Sequence, residues 1–336
     1  MQINEHRQRY LDSGEDQDLP IIDAHLHFWD PQSNYHPWLC DEPMIPFRYG
    51  DYSSIRIPFF PQDYQQQCGH HNVLGCVYME AEWQHGDALK EARWIDALNG
   101  RTCWPNAMIA QAWLDADNID AQLEKLSAWP LVRGVRHKPT TMPRDKYKAN
   151  HSMPGSLKCP RFQRGYALLA QYKFIFELQV PWWHLNELVY LLERYPDVPV
   201  VINHAGVPND RTHETLAGWK EALEQVAAYP HVMLKLSGIG LKDQPWRLKD
   251  NTWLIHTALE TFGAERCMFA SNFPVDGLVT DLEALWGHFK QLSSKLTRSE
   301  KLSVFCDNAL RSYLLAPPAQ EPLGHNSTRA IKPLIN

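Results

Sequence analysis

Ile21-Ile22-Asp23-Ala24-His25-Leu26-His27-Phe28-Trp29-Asp30 runs from an apolar β-branched pair into two histidines one residue apart. An apolar run that ends in this way reads as the end of a buried strand. Side chains alternate along a strand, so His25 and His27 share a face. Two imidazoles on one face at a strand's end can hold a metal ion or polarise a carbonyl group.

Seven further apolar, β-branched runs follow, at 73–80, 107–113, 132–137, 174–179, 198–203, 232–237 and 267–271. With 20–27 they make eight predicted strands. Helix-like stretches lie between them at 88–98, 119–129, 162–172, 185–194, 215–228, 252–262 and 281–292. Pro130, Pro196, Pro230 and Gly263 punctuate the units as helix stops. This alternation predicts an α/β fold in which a parallel sheet closes into a (β/α)8 TIM barrel. A doubly wound open sheet is the second choice, and the chain has no Gly-x-Gly-x-x-Gly or Gly-x-x-x-x-Gly-Lys motif to support it. One barrel domain is expected over 20–316, with poorly packed tails at 1–19 and 317–336.

The bulk composition of the 336 residues, 44% hydrophobic and 21% charged, is that of a water-soluble globular protein. A net charge of -6 argues against a general nucleic-acid binder. No run is apolar enough to span a membrane, and no secretory signal opens the chain. The seven cysteines are scattered without a Cys-x-x-Cys pair, which fits reduced thiols and a cytoplasmic setting. A homodimer is the default expectation for such a protein. Thirteen tryptophans are many for this length, and several, Trp29 among them, fall where strands end. They predict an aromatic pocket wall.

The predicted strand ends are polar. They carry His25 and His27, then Glu80, Arg136-His137-Lys138, Gln179, Asn203-His204, Lys235-Leu236-Ser237-Gly238, and finally Ser271-Asn272 with Asp276 beyond. A barrel gathers such ends into one ring, where active sites form. His25, His27 and His204 are expected to act on a carbonyl, directly or through one divalent metal such as zinc. Arg136 is expected to hold a carboxylate, and His137, Glu80, Gln179 and Trp29 to line the substrate pocket. Two long loops, 31–63 and 139–160, leave the same end, and basic residues in the second could attract an anionic substrate. There is no Gly-x-Ser-x-Gly elbow for a serine hydrolase.

Asp23-Ala-His25-Leu-His27-Phe-Trp29-Asp30-Pro31 and Tyr35-His-Pro37-Trp38-Leu39 resemble the amidohydrolase-related (amidohydrolase 2) family. So do Val132-Arg-Gly-Val-Arg136-His137, Arg164-Gly-Tyr-Ala-Leu-Leu-Ala170, Ile202-Asn-His204-Ala-Gly206, Lys235-Leu-Ser-Gly238 and Phe269-Ala-Ser-Asn-Phe-Pro-Val275. The resemblance is strongest to the sugar-lactone and 2-pyrone-4,6-dicarboxylate lactonases. It implies a (β/α)8 barrel and hydrolysis of a small polar lactone by activated water. Metal-dependent decarboxylation, amide hydrolysis, or ligand binding without catalysis are the alternatives on the same scaffold. The family's aspartate after the eighth strand, its usual base, is replaced here by Asn272. Asn272 is then expected to orient water or substrate, and the base to be Asp276, His204 or Glu80, although Asp276 could instead cap the following helix. The same replacement removes an anionic ligand from the metal site the family commonly builds, leaving His25, His27 and His204 as the expected set.

Overall fold

The computed structural model describes residues 3–149 and 151–314. Eight strands form one sheet in chain order, and each pairs in parallel with the next. They are β1 (Ile21–Leu26), β2 (Val73–Met79), β3 (Ala107–Gln111), β4 (Val132–His137), β5 (Ile175–Leu178), β6 (Val200–Ile202), β7 (Val232–Leu236) and β8 (Cys267–Phe269). Every one lies within or against an expected strand. The TIM barrel is therefore the fold, and the open sheet is not.

The seam between β8 and β1 closes just beyond the strands. The Asn272 N–H donates to the His25 carbonyl at 2.7 Å, and the His27 N–H to the Phe273 carbonyl at 2.7 Å. Asp23 buttresses the seam from within, accepting the Ser271 N–H at 2.9 Å and the Tyr64 hydroxyl at 2.8 Å. Close approach elsewhere depends on Gly134. A Cβ there would lie 2.3 Å from the Ile175 carbonyl oxygen of the paired strand.

Helices Ala88–Thr102, Ile119–Ser127, Pro160–Tyr172, His213–Ala227, Leu248–Phe262 and Leu282–Leu292 cover the outside of the barrel. Their apolar faces pack onto the strands. Phe176 of β5 meets Phe162 and Tyr166 edge-on, and Phe269 of β8 stacks on Phe289 at 4.5 Å. The expected helix over 185–194 is split, with a 3-10 segment at Trp182–Glu187 and an α-helix at Val189–Arg194. No helix among the described residues is long and apolar enough to cross a membrane. All seven cysteines are free.

Two expectations need correction. Every strand except β4 stops one to two residues short of its expected end. The chain there leaves the sheet through left-handed residues: Glu82 after β2, His204 after β6, Gly238 after β7 and Asn272 after β8. Such backbone cannot continue a ladder. The N-terminal segment is also no loose tail. Ile3–Ser13 is a helix with Ile3 and Tyr10 buried, and Arg7 grips Asp307 with two 2.8 Å bonds. Residues 317–336 lie outside the described residues.

Candidate active site

His25, His27 and His204 meet at the mouth of the barrel. The His25 ring centroid lies 5.2 Å from that of His27 and 4.6 Å from that of His204. His27 donates its Nδ1 proton to the Met79 carbonyl at 2.9 Å, which leaves Nε2 as a lone pair. His204 Nδ1 is bonded to Ser237 Oγ at 2.9 Å. Both nitrogens of His25 are buried and have no partner. Burial holds all three well below the ordinary histidine range. Neighbouring cations push the same way: Lys235 and Arg136 beside His25, Arg136 beside His27, and Arg48 beside His204. All three are neutral at pH 7.

The eighth strand's exit carries the acid. Asn272 holds a left-handed φ of 57°, a conformation asparagine tolerates better than most residues. Its Nδ2 donates to Asp276 Oδ1 at 2.6 Å, and the Tyr49 hydroxyl donates to the same oxygen at 3.0 Å. Arg48 stands 3.8 Å away. Burial raises the Asp276 carboxyl to about 6, and these partners oppose the rise. Gly238 ties this acid to the histidines. A Cβ at its φ of +58° would lie 2.4 Å from His204 Nδ1 and 2.8 Å from an Arg48 nitrogen. Only glycine lets His204, Arg48 and Asp276 crowd around the β7 exit.

The opposite wall is a buried polar chain. Arg136 donates to Glu80 Oε1 at 2.5 Å, to the Glu80 carbonyl at 2.7 Å and to Gln179 Oε1 at 3.2 Å. It also reaches Asn203 Oδ1 at 3.4 Å. Asn203 continues to Glu177, which receives Lys235 at 2.8 Å and the Tyr313 hydroxyl. Burial would raise the Glu80 carboxyl, but Arg136 and Lys138 outweigh it and the net shift is downward.

The ring of strand ends is thus real, but not every expected member works as expected. Arg136 commits four of its five N–H groups to protein acceptors and so braces the wall. Glu80 is committed to Arg136 and to the Glu82 N–H, so it is no free base. Trp29 presents its ring to His27 at 6.0 Å, while its N–H is shared by the Ile55 and Ile57 carbonyls. His137 leaves the site altogether. It follows Arg136 on β4 and so points outward, between Trp113 and Phe162, where its Nδ1 accepts the Leu114 N–H. Burial there lowers it to about 4.

Arg48, Tyr49 and Glu177 complete the site and were not singled out from sequence; Lys235, read only as part of the polar end of the seventh strand, pairs with Glu177. A charged residue inside a short apolar strand was the available signal for Glu177 and Lys235. Arg48 and Tyr49 come from the long loop after β1, where aromatic packing of Trp38, Phe47 and Tyr52 fixes them.

Residues 22–315 match the amidohydrolase family model. The chain belongs to the amidohydrolase family. Its class is that of a hydrolase, and lactonases are among its relatives. It is 29% identical over 296 residues to the uncharacterised protein y4mH of Sinorhizobium fredii, covering 88% of this chain and 99% of the relative. It is 24% identical over 327 residues to an L-fucono-1,5-lactonase of Burkholderia multivorans, covering 90% and 98%. A crystal structure of an amidohydrolase from Burkholderia multivorans with bound zinc shares the fold at a TM-score of 0.70 and 23% identity, over 87% of this chain and 98% of that one.

Among the described residues, one group of His, Cys, Asp or Glu has three ligand atoms all within 4.8 Å of one another: His151, His184 and Glu187. His25, His27 and His204 are spread more widely. Their chemistry nonetheless fits a cation, because His25 is buried without a partner and His27 is held with Nε2 bare.

Proposed function

We propose that this amidohydrolase opens a small polar lactone, with Asp276 as the base. The observation that carries this reading is a buried carboxyl raised to about 6, four residues beyond the asparagine at the β8 exit. A base with a pKa near working pH is half-ionised or more and still able to return its proton. Asn272 and Tyr49 fix the carboxylate by hydrogen bonds, and Asn272 does so without competing for the proton.

The lactone carbonyl sits against His25, whose unpartnered ring can donate an N–H to it, whereas His27, with Nε2 bare, would reach it only through a cation. Asp276 takes a proton from water as the oxygen attacks the carbonyl carbon. Arg48, whose single hydrogen bond in the site is to the Gly238 carbonyl at 3.2 Å, faces the growing oxyanion or a substrate carboxylate. The acyl C–O bond then breaks, and the proton on Asp276 passes to the departing ring oxygen. The product is the open hydroxy acid. His25, His27 and His204 are also the residues that would hold one zinc ion, which when bound polarises the carbonyl and acidifies water. The named lactonases among the relatives support a sugar-acid 1,5-lactone as the substrate class.

Incubation with a panel of aldonic-acid lactones and a pyrone dicarboxylate, with and without chelator, tests this reading. Release of one acid equivalent per turnover from at least one of them is expected. Folded protein that opens none of them, or that releases carbon dioxide from an aromatic acid, contradicts it.

A further inference from the structure

We infer that His151, His184 and Glu187 form a second site, separate from the barrel mouth, that binds one zinc ion and staples the rim. Glu187 Oε1 lies 2.8 Å from His151 Nε2 and 2.8 Å from His184 Nδ1. A carboxylate cannot donate, so both imidazoles direct a nitrogen at the same point. The side chains retain 6%, 1% and 1% of their exposure, respectively for His151, His184 and Glu187. Two imidazoles and one carboxylate, dry and convergent, are a donor set suited to zinc, with the fourth position left to water.

The geometry is close to that of a loaded site. Ligands at about 2.0–2.2 Å from zinc sit roughly 3.3 Å apart in a tetrahedron, so Glu187 need part from each histidine by only about half an ångström, and all three ligand atoms already lie within 4.8 Å of one another. The outer partners are also in place. His184 Nε2 lies 2.9 Å from the Met142 N–H and 3.2 Å from the Met142 carbonyl. As it stands, Nε2 accepts the Met142 N–H and Nδ1 carries the proton given to Glu187. With the metal on Nδ1 that proton moves to Nε2, so the Met142 N–H must turn away and the Met142 carbonyl, 3.2 Å off, becomes the acceptor.

The ion would cross-link elements that are distant in sequence. His151 lies on the loop after β4, and His184 and Glu187 on the segment Trp182–Glu187 after β5. The same two segments already meet through Trp183 Nε1 and the Met142 carbonyl at 2.9 Å, and through Tyr147 and Asn186 at 3.0 Å. Trp182 in turn packs against Gly206, two residues past His204. A zinc staple here braces the wall behind the candidate active site without entering it, and the inference stands apart from the proposed lactone hydrolysis.

Zinc alone is the probe. Demetallated full-length protein carrying His25→Gln and His27→Gln is titrated with zinc, alone and with His151→Gln or Glu187→Gln added. The double variant should bind one equivalent, and either added substitution should weaken binding at least about 100-fold. Zinc should also slow tryptic cleavage at Lys146, Lys148 and Lys158 in the double variant only. His151→Gln, on the rim loop, decides the matter if Glu187→Gln does not fold. No zinc uptake by the double variant, or equal uptake when either rim residue is replaced, overturns the inference.

Discussion

In the proposed hydrolysis Asp276 takes a role that its neighbour Asn272 cannot fill, because an amide does not accept a proton from water at neutral pH. Asp276→Asn should lower kcat/KM about 10²- to 10⁴-fold, the usual range for loss of a general base. The same change should not lower stability. The folded carboxyl at about 6 lies above its ordinary value of 3.8, so the native state holds this proton more tightly than the unfolded chain. Its contribution favours the fold most below about pH 4 and is lost as pH rises through about 6. Asp276→Asn removes that loss, and melts at pH 8 should show an equal or higher Tm than the parent. Asn272→Asp should act oppositely on the chemistry. It places a second carboxylate where Nδ2 now donates at 2.6 Å, so activity should fall and the acid limb of the rate profile should move upward. A gain in hydrolysis would mean instead that the present site is disabled. The place of His25, His27, His204, Asn272 and Asp276 at the barrel mouth was legible because each follows an apolar run. His137 misled because it shares that position with Arg136, and strand alternation lets only one of the two face inward.

At the level of elements, the strand exits matter more than the strands. Glu82, His204, Gly238 and Asn272 all turn through left-handed backbone, and such strain gathers at functional sites. Gly238→Ala should cost about 1–2 kcal/mol from its backbone alone. It should also displace His204 and Arg48, so activity should drop further than the melting point suggests. The seam is a second weak place. Asp23→Ala strands the Ser271 and Tyr64 donors inside the barrel and should cost roughly 3 kcal/mol, read as a lower denaturant midpoint with unchanged slope. Asp23 reads in sequence as part of a histidine motif, yet its contacts are those of a structural staple. Its partners are 41 and 248 residues away, a separation that no local pattern reveals.

Across the whole molecule, the β/α rhythm was readable because each unit must bury one face of its strand and one stripe of its helix, and both leave a period. The long loop after β1 has no such period. Its order comes from aromatic contacts, and through them it delivers Arg48 and Tyr49 to residues about 190 and 227 positions away. The N-terminal helix was missed for a similar reason, since its anchor, Asp307, lies 300 residues downstream. The site that results joins three neutral imidazoles, one raised carboxyl and one arginine from three strand exits and a loop. Lactone hydrolysis with Asp276 as the base is tested most directly by the pH dependence of kcat/KM on a hydrolysed lactone, for the parent and for Asp276→Asn. The parent should lose activity as pH falls through about 6, and the variant should retain only a low rate without that limb. A variant that keeps the parent's rate and its acid limb would contradict the claim.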